Sequence, residues 1–141
     1  MNSSFIVDEG MQYRPNIPIA PTTTLIIHEA VAVSGTQLKK ATSALFASVG
    51  NHKFLGIAIT TAENPAASAQ LASPPVVVKQ GFTWECELDL ADPPTSAELF
   101  SDVALSTEKS VKKTIVGTDI KFKLLELRPG NRALVWVPNP A

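Results

Sequence analysis

Apolar residues in this chain recur at every second position over short runs, and prolines or glycines end the runs before they grow long. A period of two places successive side chains on opposite faces of a strand. Many short runs of this kind, separated by turn residues, specify an all-β chain, a small β-barrel or sandwich of short antiparallel strands. The runs fall at residues 25–33, 37–41, 54–60, 76–79, 82–88, 103–106, 111–115, 120–127 and 132–137. Helix is confined to a turn or two at 41–48, 66–71 and 95–100, the last with Thr95 and Glu98 at capping-box spacing. Residues 62–73 read as a long loop of small residues.

Alternation is strictest over residues 84–89, where Trp84, Cys86 and Leu88 are expected to face a core and Glu85, Glu87 and Asp89 to face out. Same-face neighbours on one strand lie about 7 Å apart. That spacing suits solvated carboxylates better than a ligand cage, and Lys121 and Lys123 are their expected cross-strand complement. Cys86 reads as a small buried apolar residue, His28 as a hydrogen-bonded strand residue, and His52 as an exposed turn residue. Trp84 and Trp136 both sit in core-like alternation. Arg128, Pro129, Gly130 and Asn131 form a hairpin turn between the last two strands.

The first 21 residues break the pattern. Pro15, Pro18 and Pro21 force an extended path there, with Phe5, Ile6, Val7, Met11, Tyr13, Ile17 and Ile19 as apolar anchors and Arg14 among them. Ordering such a segment costs about 1–2 kcal/mol per residue in backbone entropy, and seven buried side chains at about 1.5–3 kcal/mol each do not clearly cover it. Strand addition to a neighbouring sheet supplies the remaining hydrogen bonds. Residues 1–21 are therefore expected to be an extended N-terminal docking arm, and residues 22–141 the barrel domain. The alternative is that the arm is the first strand of its own barrel plus a loop.

A length of 141 residues suits one domain with a real core. With 18% charged residues and a net charge of −1, the chain carries no field to draw it to nucleic acid or an anionic membrane. One cysteine and two histidines leave neither an internal disulfide nor a zinc site of the usual ligand count. No GxxxxGK, GxGxxG or GxSxG spacing occurs. The expectation is a protein that is not an enzyme and takes no cofactor or metal. With no leader-like start, it is expected to be made and used in a cytoplasm or in a particle assembled there.

One order of segments carries a resemblance. Gln37-Leu38-Lys39-Lys40-Ala41 is followed by Phe54-Leu55-Gly56-Ile57-Ala58, then Val76-Val77-Val78-Lys79-Gln80-Gly81-Phe82. Val103-Ala104-Leu105-Ser106 comes next, and Arg132-Ala133-Leu134-Val135-Trp136-Val137 closes the series. From residue 25 to residue 137 this resembles the small β-barrel decoration, or cement, proteins of tailed-phage heads, in which FxGIA-like, VxxxGxF-like and DxVYLS-like strands follow in the same order. The loop at 62–73 and the insertion around 92–101 depart from the compact pattern, and the arm lies outside it. The resemblance implies a structural virion protein on the outer surface of the capsid, with the major capsid protein as partner and a homo-oligomer, often a trimer, as the functional form. The alternatives are a tail or head-fibre base module and a carbohydrate-binding β-barrel.

Overall fold

The computed structural model describes residues 5–6, 12–71, 77–78 and 81–138. The strands are β1 (Phe5–Ile6), β2 (Gln12–Tyr13), β3 (Thr23–Leu25), β4 (Ala30–Ser34), β5 (Gln37–Lys40), β6 (His52–Ala58), β7 (Ala62–Asn64), β8 (Val77–Val78), β9 (Phe82–Leu88), β10 (Asp102–Leu105), β11 (Ser110–Lys112), β12 (Lys121–Arg128) and β13 (Arg132–Val137). One helix, α1 (Ser43–Ala47), and a 3-10 turn at Ser96–Glu98 complete the described elements. The all-β expectation holds.

Five strands close on themselves in the order β9-β11-β10-β12-β13 and back to β9, with β1 joined to β9. Closure leaves the barrel without free edges. Only β9 and β11 run parallel; the other neighbours are antiparallel. The interior follows from alternation: Phe82, Trp84 and Cys86 of β9 meet Val103 and Leu105, Phe122 and Leu124, and Ala133, Val135 and Val137. Phe54, Phe122 and Trp84 form a T-shaped series with ring centroids 5.7 Å apart at each step. Trp84 is fully buried, and its Nε1 donates to the His28 carbonyl at 2.9 Å. That bond satisfies the one polar atom the indole brings into the core.

A second sheet, β2-β8-β6-β4-β5, serves two cores. On β4 and β6, Ala30, Ala32 and Ile57 pack into the barrel core. Val31, Leu55 and Ala58 face the other way, where Ile19, Leu25, Leu38 and Ala62 close a second core under the ribbon of β3 and β7.

Several local expectations change. The run at 25–33 is two strands, β3 and β4, because the chain turns through His28, whose φ is +74°. His28 is thus a turn residue, not a strand residue. His52 begins β6, and Ser34 Oγ lies 2.9 Å from its Nδ1. The expected loop at 62–73 opens with β7, paired to β3, because Asn64 is buried and fully bonded there. Residues 66–71 form no helix; Gln70 instead exchanges backbone hydrogen bonds with Ile19 at 2.6 and 3.1 Å. The capping box is present, with Thr95 N–H donating to Glu98 Oε1 at 2.7 Å. The hairpin after Arg128 turns through Gly130 and Asn131, both at positive φ (82° and 57°), which glycine and asparagine tolerate.

Asp119 ties three elements together. Its buried carboxylate accepts from Ser43 Oγ at 2.7 Å and from Val116 N–H at 2.9 Å, and lies 3.2 Å from Lys112 Nζ. Burial raises its pKa, but these donors outweigh it and hold the group below its ordinary value. A lowered folded-state pKa contributes stability above the unfolded value of about 4, and that contribution is lost as pH falls through the folded pKa. Asp119→Asn is expected to cost about 1.5–3 kcal/mol in urea unfolding at pH 7, with a smaller penalty at pH 3. An equal penalty at both pH values would show that the carboxylate charge is not what Asn lacks.

Candidate interaction surface

The expected arm residues divide at Pro15, which is buried. Downstream, Ile19 is 2% exposed at the centre of the second core, and Ile17 packs against that core. Leu38 N–H donates to the Pro18 carbonyl at 2.8 Å, and Ala20 N–H donates to the Leu38 carbonyl at 3.0 Å. Asn64 Nδ2 donates to the carbonyls of Ile19, Ala20 and Ser68 at 3.0, 3.1 and 2.9 Å, and its Oδ1 accepts from Ala66 N–H. Ile19 is therefore not accessible to a partner.

Upstream, the backbones of Phe5 and Ile6 pair with Trp84 and Thr83 of β9, and those of Gln12 and Tyr13 with Val78 and Val77 of β8. Both segments are terminal strands of their sheets. Arg14 is exposed. Val7 and Met11 lie outside the described residues, as do Val76, Lys79, Gln80 and the Pro74-Pro75 pair.

The acidic row on β9 is only partly solvated. Glu85 is 5% exposed although it points away from the barrel core. Arg128 Nη1 and Arg132 Nε donate to its two carboxylate oxygens at 2.5 and 2.6 Å. The register explains this: Arg128 and Arg132 face each other across the hairpin, and β13 lies beside β9. The cationic complement expected from Lys121 and Lys123 is therefore supplied by the arginines, and Lys123 sits 3.9 Å from Asp102 instead. Glu85, Glu87, Glu29, His28, Lys109 and Arg132 line a small cavity of about 130 Å³. Glu29 Oε1 is buried there with no hydrogen-bond partner among the described residues, and burial followed by the Glu108 charge raises its pKa. Burial, followed by the Arg132 charge, lowers the pKa of His28. Burial also pushes the Cys86 thiol up, leaving it protonated and unreactive.

Exposed large apolar side chains are scattered over several loops and strands among the described residues. Phe100 is 69% exposed at φ +63°, a conformation rare for a bulky residue and costing about 1–3 kcal/mol. It is held there by Phe100 N–H to the Leu124 carbonyl at 2.7 Å, and by Leu124 N–H to the Ser101 carbonyl at 3.0 Å. Leu90, Val116 and Val49 are exposed on other loops. Trp136, expected in the core, is 37% exposed, because Ala133, Val135 and Val137 take the inward positions of β13. The positive φ of Phe100 had no sequence signal. The exposure of Trp136 was readable from the parity of β13 once Val135 and Val137 were taken as inward.

Among the described residues no group of three or more metal-ligating side chains forms, and no helix is long and apolar enough to cross a membrane. No family model, curated protein or solved structure matches this chain.

Proposed function

We propose that the chain is a structural virion protein, a decoration or cement protein that binds the outer surface of a phage head and ties neighbouring major capsid protein subunits together. It acts as a homo-oligomer, a trimer, so that several weak contacts combine through effective concentration. The capsid as target comes from the resemblance, whose segments fall on β5, on β6, across the step from β8 to β9, on β10 and on β13. The observation that carries an adhesive role is Phe100, a large aromatic held in solvent in a strained conformation by a rigid barrel. Exposed aromatics on a fixed scaffold are the residues that anchor protein interfaces. The edge strands β1 and β2 are the part of the arm left to reach a partner.

The test is co-sedimentation with expanded capsids stripped of this component. The full-length chain is expected to bind saturably, and Phe100→Ala to bind about tenfold more weakly, a loss of about 1.4 kcal/mol. Failure of the full-length chain to bind would sink the capsid reading.

Trp136 keeps the carbohydrate alternative in view, since it is a single exposed indole. That reading requires its fluorescence to respond to added sugars.

A further inference from the structure

A second surface feature lies where the end of β5 meets β3, α1 and the turn between β10 and β11, and it does not depend on the capsid reading. Leu38 of β5 turns its backbone away from β4, donating to Pro18 and accepting from Ala20. Lys40, two residues on, presents its N–H and C=O to the same side. A continued ladder would use the Ala20 carbonyl and the Thr22 N–H. Both are engaged elsewhere: the Ala20 carbonyl accepts from Asn64 Nδ2 at 3.1 Å, and Thr22 N–H donates to the Ala66 carbonyl at 3.0 Å. The chain is turned aside at Thr22, a β-branched residue at φ +52°. That conformation is an outlier for such a side chain, and strain of this kind collects at ligand sites.

The divergence of β3 from β5 opens a cleft of about 650 Å³, lined in part by Thr22, Thr24, Lys39, Lys40, Leu45 and Glu108. Lys40 Nζ is 3.9 Å from Glu108, whereas Lys39 has no acidic partner among the described residues. The cleft thus holds one uncompensated positive charge, hydroxyls on one wall, and strand backbone groups on the other.

We propose that this cleft docks an extended acidic peptide segment, which adds to the open side of Lys40 as a short strand and places a carboxylate at Lys39. Backbone groups in strand geometry favour a peptide over a sugar, because strand addition takes its affinity from main-chain hydrogen bonds and its selectivity from the flanking side chains.

The test uses amide NMR spectra of the full-length chain. The probes are an end-capped pentapeptide alternating valine with aspartate, the same peptide with lysine for aspartate, and a sialylated trisaccharide. The acidic peptide is expected to shift the amides of Thr22, Thr24 and Lys40 saturably, about tenfold more tightly than the basic one. Lys39→Glu, on the rim and not in a core, is expected to reverse that preference while leaving the unfolding midpoint unchanged. No saturable shift with the acidic peptide, equal affinity for both peptides, or shifts with the trisaccharide alone would overturn the proposal.

Discussion

Ile19→Ala is expected to lower the unfolding free energy by about 2–5 kcal/mol, the range for truncating a large aliphatic side chain in a packed core. Ile19 is 2% exposed among Leu25, Val31, Leu38 and Leu55. Its backbone is bonded to Gln70 on one side and Asn64 on another, so the site cannot collapse readily onto the void. Urea unfolding followed by tryptophan fluorescence checks this, and a loss below about 0.5 kcal/mol, typical of a surface position, would remove Ile19 from the core. Because Asn64 holds the same segment, Asn64→Ala is expected to be non-additive with Ile19→Ala in a double-mutant cycle.

Glu85→Ala is the second large effect, expected to cost about 3 kcal/mol or more from two charge-assisted hydrogen bonds of about 1.5–3 kcal/mol each. The loss has two parts. The bonds at 2.5 and 2.6 Å disappear, and Arg128 and Arg132 are left opposite each other across the hairpin, with Glu126, 3.1 Å from Arg128 Nε, still offsetting one of the two charges. Both arginines retain access to solvent, which limits the second part. Glu85→Gln keeps the shape without the charge and is expected to fall between Ala and the parent chain. Equal stability of all three proteins would show that the clamp contributes nothing.

The all-β class and most strands were legible because alternation and turn residues act locally. Strands 82–88 and 132–137 were read with the observed ends. Apart from Trp136, whose exposure follows from strand parity, the main failures were non-local. Burial of Glu85 depends on a hairpin bringing two arginines beside another strand, which no window of β9 contains. The break at His28 depends on the Ala58 carbonyl and Trp84 indole, distant in sequence, that hold the turn. Ile19 sits in a proline-rich run whose local signal says only that it is extended. That its partner is Leu38 of the same chain comes from the second sheet. The strained Phe100 is held by the distant Leu124 backbone, and the cleft at Lys39 is lined by elements far apart in the chain, so neither left a pattern in the sequence.

The division of the arm at Pro15 is the point on which fold and function meet, and deletion of residues 1–14 tests it most directly. The truncated chain keeps Ile17, Ile19 and Ala20. It is expected to unfold cooperatively, within about 1–2 kcal/mol of the full chain, since the pairings lost among the described residues are those of the two-residue strands β1 and β2, and to lose capsid co-sedimentation by about tenfold or more. A folded truncate that binds capsids as tightly as the full chain would contradict the assignment of docking to β1 and β2, and an unfolded one would make the whole segment part of the core.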